Sequence, residues 1–271
     1  MKSILLHVAD DPQFEGRLQG ALDLARLMGG HVDCLQTRRI PAFYGAETAG
    51  FSGSATMVMQ LMDMEEKAAA DNRERVTARL ANEDVPWSWF DSMGDPAFTL
   101  VERSMLNDVV VLSQPESGRD EAARTLAHVV TRAETPVLVM PSTAKSLPLD
   151  RPVLIAWKPT AEAAKAVRAS VPLLRTAVRV DVLSIDAPDE ADLPPLDVAA
   201  YLSRHGVHAE VHSRASGNRS TAEALQAAAG EMGSGIIVMG GYGRSRAMEF
   251  LLGGVTRRFL QATAYPLLMA H

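Results

Sequence analysis

The chain has 271 residues, of which 47% are hydrophobic and 22% are charged, and its net charge is −6. This composition is that of a folded globular protein with enough apolar material for a core. The acidic balance argues against non-specific nucleic-acid binding, which needs clustered cations, and the single cysteine, Cys34, excludes an internal disulfide. No apolar run is long enough for a membrane helix and the opening residues do not resemble a secretory signal, so we expect a cytoplasmic protein.

Short apolar runs alternate with helix-like segments through the first half of the chain. The runs are residues 3–10, 31–36, 87–90, 108–113 and 137–140, and the helical segments are residues 14–28, 56–81, 97–105 and 121–133. Short apolar runs without a polar face are typical of strands buried on both sides. Their alternation with crossover helices predicts an α/β fold with a parallel, doubly wound sheet.

The same order of elements restarts after a polar stretch at residues 142–151. Strands are predicted at residues 153–157, 180–185, 207–213, 235–239 and 267–270, and helices at residues 161–177, 196–204, 221–232 and 255–262. Residues 127–136 align with residues 257–266. An internal repeat this long indicates duplicated domains. We therefore predict a domain at 1–143, a linker at 144–151 and a domain at 152–271, each with a five-stranded parallel sheet.

The segment richest in chemical information is residues 235–259, GIIVMGGYGRSRAMEFLLGGVTRRF. It is predicted to be a strand, a turn containing Gly240 and Gly243, and a second glycine pair, Gly253 and Gly254, that opens a helix. Glycines let backbone N–H groups converge on an anion, and a helix N-terminus offers free N–H donors at the positive end of its dipole. The pattern indicates an anion cradle at the carboxyl end of a parallel strand. The alternative is that these glycines only form tight turns.

The spacing of these glycines resembles a family signature. Gly240-x-x-Gly243, nine residues and then Gly253 is similar to the G-2x-G-9x-G-S/T motif of ATP-binding universal stress proteins, and it fits neither a Walker A loop nor a dinucleotide fingerprint. The strand order of each half also fits that family. The resemblance covers the chain twice and implies a bound adenine nucleotide such as ATP, with Mg²⁺ accompanying a triphosphate. In that family the loop backbone holds the phosphates, and residues after the first strand contact the adenosine.

Two positions depart from the family pattern. Gly254 stands where the family has Ser or Thr, and Ser245 or Thr256 could supply the missing hydroxyl. Lys158 stands where the family often has an acid after the first strand; it cannot accept a hydrogen bond from a ribose hydroxyl, although its ammonium could meet a phosphate. The candidate binding residues are Ala156, Trp157, Lys158, Asp186, Gly240, Gly243, Ser245, Gly253, Gly254, Val255 and Thr256.

The first half lacks a glycine-rich loop at the corresponding place. Residues 113–121, SQPESGRDE, contain one glycine and three acids, whose charges would repel a phosphate. We therefore expect no nucleotide in the first half. Asp10 and Asp11, which follow the first strand, are interpreted as solvated turn residues or a helix cap.

Other chemically suggestive residues favour structural interpretations. His205, His208 and His212 fall in a segment whose apolar and polar residues alternate, which predicts a strand with one wet face at a sheet edge rather than a metal site. Cys34 is predicted to be a buried, inert thiol. The four methionines at residues 57–64 are predicted to pack on the sheet rather than to form a partner surface.

Three functional hypotheses follow. The first is a stress-linked protein that binds an adenine nucleotide in its second domain as a switch or sensor, with at most slow hydrolysis. The second is a ligand-free interaction module, which Gly254 in place of Ser or Thr favours. The third is a small-molecule hydrolase or transferase, although no G-x-S-x-G or H-E-x-x-H motif is present. The resemblance also implies that the two halves pack as a pseudo-twofold pair, and it leaves a homodimer open; we expect no nucleic-acid or membrane partner.

Overall fold

The computed structural model describes residues 1–38, 55–116, 120–187, 192–241 and 254–271. Strands and helices alternate through these residues, as predicted. The first half contains β1 (Ser3–Val8), α1 (Phe14–Met28), β2 (His31–Arg38), α2 (Ala55–Leu80), β3 (Trp87–Met93), α3 (Pro96–Arg103), β4 (Val109–Ser113), α4 (Asp120–Arg132) and β5 (Val137–Met140). The second contains β6 (Val153–Ala156), α5 (Ala161–Leu174), β7 (Val180–Ile185), α6 (Pro195–Arg204), β8 (Ala209–Arg214), α7 (Thr221–Glu231), β9 (Ile236–Gly240), α8 (Gly254–Gln261) and β10 (Leu267–Ala270).

The described strands form one sheet in the order β3-β2-β1-β4-β5-β10-β9-β6-β7-β8. Each half has the same internal order, and within each half neighbouring strands are parallel. The halves meet where β5 pairs antiparallel with β10, with Leu268 opposite Leu138. The parallel α/β fold is therefore confirmed, and the last strands of the two halves join the two sheets edge to edge.

Helices cover both faces of the sheet because every central strand is apolar on both sides. One apolar core contains residues of α1, α2, α5 and α6, and the other contains residues of α3, α4, α7 and α8. Alternate residues of β1 show the division, since Ile4 and Leu6 belong to the first core and Leu5 to the second. The continuous apolar runs in the sequence thus correspond to strands buried on both faces.

Most of the structural predictions for single residues are confirmed. Cys34 is buried in β2, and desolvation raises the pKa of its thiol to about 12, so it is a poor nucleophile at neutral pH. The strand that contains His212, β8, lies at the edge of the sheet. The methionine prediction is wrong in part, because Met59 and Met64 on α2 are 65% and 68% exposed. No helix in the described ranges is long and apolar enough to cross a bilayer.

Candidate functional site

Two of the predicted binding residues, Ala156 and Gly240, lie at the carboxyl ends of β6 and β9. These two strands are hydrogen-bonded neighbours, with Ala156 opposite Met239, yet the chain leaves β6 toward β7 and leaves β9 toward β10. The strand order therefore reverses between them. In open α/β sheets the crevice at such a reversal is the usual ligand position. Ala156 and Gly240 are the last residues of the two strands and flank this crevice.

Helix α5 begins directly against the end of β9. Its N-cap is Thr160, whose hydroxyl accepts a hydrogen bond from the Ala163 amide. A Cβ added to Gly240 would lie 2.7 Å from the Ala163 nitrogen and 3.0 Å from the Glu162 carbonyl carbon. Real Cβ atoms essentially never approach backbone atoms this closely, so a glycine is required at residue 240. Gly240 thus lets the first turn of α5 pack onto the strand end.

Glu162 is a candidate residue that the sequence interpretation missed. It lies in the first turn of α5 beside Gly240, and its Oε2 atom is buried without a hydrogen-bond partner among the described residues. A buried carboxylate oxygen without a donor is costly, and such atoms are rare in folded proteins. Glu162 therefore presents an acceptor next to the crevice. The sequence does show an acid two residues after a Thr N-cap, but an acid there usually just stabilises the N-terminus of a helix, so this position did not indicate a binding residue.

The residues after β6 take different positions. Trp157 is buried; its backbone amide donates to the Leu183 carbonyl, and its indole N–H donates to the Leu193 carbonyl at 3.1 Å. Lys158 is exposed, and its carbonyl accepts a hydrogen bond from the Thr160 amide just before α5. Lys158 is therefore free to meet a ligand, whereas Ala156 is partly buried against the core that contains β9 and the Trp157 side chain is buried.

Asp186, after β7, is held by the loop that follows β8. Its carboxylate accepts a hydrogen bond from the Ser216 amide at 2.9 Å, and its own amide donates to the Arg214 carbonyl. Hydrogen bonding from Ser216 lowers the pKa of the Asp186 carboxyl. The backbone of Asp186 is left-handed, with φ at 52°, a conformation that aspartate tolerates better than most residues. Its acceptor atoms are therefore partly occupied within the protein.

The glycine-rich segment is described only at its two ends. Gly243, Ser245 and Gly253 lie outside the described residues. Gly254 opens α8 and is exposed, and no other described residue lies within 4 Å of the position that a Cβ would take. Val255 is half-buried and Thr256 is buried in the first turn of that helix.

The first half contains an open cleft at its own strand-order reversal, between β1 and β4. The cleft has a volume of about 600 Å³ and is lined by His7, Asp11, Arg17, Ser113, Gln114 and Arg124, among others. Arg17 of α1 is buried; its guanidinium binds the Asp11 carboxylate at 2.8 Å, the Ser113 hydroxyl at 2.8 Å and the His7 carbonyl at 2.8 Å. Three groups of the protein itself therefore engage this cation.

The interpretation of Asp10 and Asp11 is half right. Asp10 is a solvated turn residue, with a side chain that is 87% exposed. Asp11 accepts a hydrogen bond from the Gln13 amide, as a turn residue would, but its side chain is only 19% exposed and forms the ion pair with Arg17. No local pattern indicates that a residue of α1 pairs with Asp11, so the ion pair could not be predicted.

Contacts between the halves lie next to both clefts. Gln114, directly after β4, is buried, and its amide donates to the Leu260 carbonyl of α8 at 3.1 Å. Gly241, directly after β9, approaches α4 so closely that an added Cβ would lie 2.9 Å from a Val130 methyl group. The loop that follows the fourth strand of each half thus begins in contact with a helix of the other half.

Comparisons with known proteins identify solved structures that share this architecture. No protein-family model matches the sequence, and no curated protein matches it significantly. Among solved structures, a universal stress protein from Archaeoglobus fulgidus is 13% identical, with a TM-score of 0.77 over 99% of this chain and 96% of that chain. A candidate universal stress protein from Pseudomonas aeruginosa is 14% identical, with a TM-score of 0.59 over 99% and 92%.

A third full-length similarity is to a functionally unknown protein from Pseudomonas aeruginosa, which is 15% identical, with a TM-score of 0.58 over 99% of this chain and 92% of that chain. All three similarities cover both halves of the sheet, so the likeness includes the joined arrangement as well as the single α/β unit. At these identities the comparisons establish the fold. The chain has the fold of the universal stress proteins over nearly its whole length.

Proposed function

We propose that the chain is a tandem universal stress protein that binds one adenine nucleotide in its second domain and serves as a stress-linked switch or sensor. The domains are residues 1–143 and 152–271, joined by the linker 144–151. The observation that carries the proposal is the position of the glycine motif. Gly240 ends the strand at the order reversal and Gly254 opens a helix, so the two ends of the motif stand where an anion cradle is expected.

The charges of the two clefts favour the second domain over the first. In the first half the buried cation Arg17 is held by Asp11, Ser113 and the His7 carbonyl. Three acids, Asp10, Asp11 and Glu121, line the cleft together with two cations, Arg17 and Arg124, so a phosphate there would meet a net negative charge. By contrast, the residues after β6 and at the start of α5 include one exposed cation, Lys158, and one acid, Glu162. We therefore expect one nucleotide per chain.

Glu162 has the carboxylate that can accept a hydrogen bond from a ribose hydroxyl, which Lys158 cannot do. Its buried Oε2 lacks a donor among the described residues, and the Glu162 backbone lies close to Gly240 at the end of β9, which supports this role. Ribose hydroxyls can donate hydrogen bonds, and a hydrogen bond from a neutral donor to an ionised carboxylate is stronger than one between two neutral groups. We infer that Glu162 binds a ribose hydroxyl of the nucleotide, while the backbone N–H groups of the glycine loop and the N-terminus of α8 bind the phosphates.

The direct test is the nucleotide content of the purified full-length chain. Mass spectrometry of small molecules released from gently purified protein, followed by calorimetric titration with ATP and AMP, is expected to give about one adenine nucleotide per chain. Gly243→Val is expected to abolish binding, because a branched side chain would block the loop's N–H groups; Gly243 lies outside the described residues, and this expectation depends on the motif alone. Absence of nucleotide and of heat at millimolar ATP would refute the proposal and favour the ligand-free interaction module.

A variant at Glu162 separates binding from folding. Glu162→Ala is expected to weaken adenosine-nucleotide binding by roughly tenfold, the equivalent of one hydrogen bond to a charged group. The same change removes a buried acceptor without a donor, so the nucleotide-free protein is expected to be at least as stable as the wild type. Calorimetry and urea denaturation measure the two effects. The control is Glu134→Ala, which removes an exposed acid paired with Lys165 and is expected to leave affinity unchanged. Unchanged affinity in Glu162→Ala would contradict the assignment.

A further inference from the structure

A second cluster of chemically active side chains lies at the outer edge of the second half, away from the nucleotide crevice. Strand β8 is the edge strand and pairs in parallel with β7, with Asp181 opposite Glu210 and Leu183 opposite His212. Glu210 and His212 are two residues apart and therefore share one face of β8. The register places Asp181 of β7 directly opposite Glu210, on the same face.

The three side chains converge on one point. The His212 Nε2 atom lies 3.1 Å from one carboxylate oxygen of Asp181 and 4.0 Å from a carboxylate oxygen of Glu210. One ligand atom of each residue lies within 4.8 Å of the other two. Ligands about 2.0–2.2 Å from a tetrahedral ion are roughly 3.3 Å apart, so an ion fits between these atoms after sub-ångström movements. Glu210 and His212 are accessible from solvent, whereas the Asp181 side chain is only 1% exposed.

We propose that Asp181, Glu210 and His212 bind one zinc-type transition-metal ion, with water completing the coordination. The donor set decides the class of metal. An imidazole nitrogen together with two carboxylates suits Zn²⁺ and its neighbours, whereas Mg²⁺ and Ca²⁺ prefer sites made only of oxygen. The two carboxylates supply two negative charges, and the Asp181 carboxylate also pairs with the Arg179 guanidinium. Three protein ligands on an exposed edge leave a coordination position open to solvent.

The surroundings of Asp181 hold its carboxylate ready for a metal. Its second oxygen accepts a hydrogen bond from the Arg179 guanidinium at 3.0 Å, and Arg179 also donates to the Met232 carbonyl, at the C-terminus of α7, at 2.7 Å. Asp181 therefore has one oxygen anchored and the other directed at His212. Hydrogen-bonded carboxylate ligands of this kind are a regular feature of metal sites. The carboxyl end of α7 also carries the negative pole of its helix dipole near the site.

The sequence alone directed attention to different residues. It grouped His205, His208 and His212, but the structure separates them: the His205 ring contacts Tyr201 at 4.5 Å, His208 is exposed, and only His212 meets acids. Asp181 could not be identified as a ligand from the spacing of residues in the sequence, because it lies on the neighbouring strand.

Metal binding is tested on the full-length, tag-free protein after treatment with a chelator. Titration with Zn²⁺ in a calorimeter, and with Co²⁺ followed by its visible absorption, is expected to show one ion per chain with a dissociation constant below about 10 μM. His212→Ala and Glu210→Gln are each expected to weaken binding at least tenfold. Both residues are partly exposed, so these variants are expected to fold, which circular dichroism checks; Asp181→Asn is less suitable because that residue is buried.

The matched control is His208→Ala, which removes an exposed histidine two residues before Glu210. It is expected to change the dissociation constant by less than twofold. Absence of a one-to-one Zn²⁺ or Co²⁺ complex in the wild type would overturn the proposal, as would wild-type affinity in His212→Ala. A loss of Zn²⁺ affinity in His208→Ala as large as that in His212→Ala would overturn the proposed ligand set. Nucleotide binding is expected to be the same in all of these variants, so the metal proposal and the nucleotide proposal are tested independently of each other.

Discussion

Asp11→Ala is expected to lower the free energy of unfolding by about 3 kcal/mol, because it leaves a buried cation without its counter-charge. The Arg17 side chain is 3% exposed, and Asp11, at 2.8 Å, is its ion-pair partner within the protein. The Ser113 hydroxyl and the His7 carbonyl still bind the guanidinium in the variant, but neither carries a negative charge. We therefore place the effect at the low end of the range for broken buried pairs. Urea denaturation followed by circular dichroism measures it.

The neighbouring residue provides the control. Asp10 pairs with Arg75 at 3.3 Å, but the Asp10 side chain is 87% exposed and that of Arg75 is 47% exposed. Asp10→Ala is expected to change the free energy of unfolding by less than about 0.5 kcal/mol, as for other surface pairs. Equal effects of Asp10→Ala and Asp11→Ala would show that the Arg17 pair is not buried in solution.

A double variant isolates the interaction itself. Arg17→Met alone removes the cation and leaves Asp11 near the surface, where water can solvate it. Asp11→Ala combined with Arg17→Met removes both charges, and such pairs are often replaced by apolar residues at little cost. The double variant is therefore expected to be more stable than the sum of the single changes implies, and the difference is the coupling energy of the pair. Strict additivity would contradict a direct contact.

The order of strands and helices could be predicted from the sequence because buried parallel strands appear as short apolar runs. Apolar runs such as residues 109–113 and 236–240 have no polar face, and the segments between them are long enough for crossover helices. The repeat then predicted the second half from the first. The β5–β10 junction could not be predicted from the residues themselves, since two four-residue apolar strands specify neither their partner nor its direction. The family resemblance implied only that the two halves pack as a pseudo-twofold pair.

Single side chains were harder to predict than elements because their roles depend on contacts between distant segments. Arg17 looks like a surface residue of an amphipathic helix, yet it reaches the ends of β1 and β4. Asp181 gave a better signal, since an acid between Val180 and Val182 in a buried strand requires partners. The glycines illustrate the same limit: both Gly240 and Gly254 were interpreted as part of a phosphate loop, but the structure packs the first turn of α5 against Gly240.

Gly240→Ala is expected to lower the free energy of unfolding by about 2 kcal/mol, although alanine normally stabilises a strand relative to glycine. The added methyl group would lie 2.7 Å from the Ala163 nitrogen and 3.0 Å from the Glu162 carbonyl carbon. These are backbone atoms in the first turn of α5, so the strand end or the helix must move as a unit. Urea denaturation measures the loss, and hydrogen exchange is expected to show it as faster exchange in α5.

Gly254→Ala is the matched control, because no other residue of the described ranges lies within 4 Å of its added methyl group. It is expected to leave the free energy of unfolding unchanged or to raise it by about 0.5 kcal/mol, since alanine restricts the unfolded chain. Equal stability of the two variants would contradict the close approach of α5 to β9. The comparison also governs how the nucleotide proposal is tested. Lost binding in Gly240→Ala would be expected from a displaced α5 alone, so Gly254 is the better of the two positions at which to test the proposed phosphate contact.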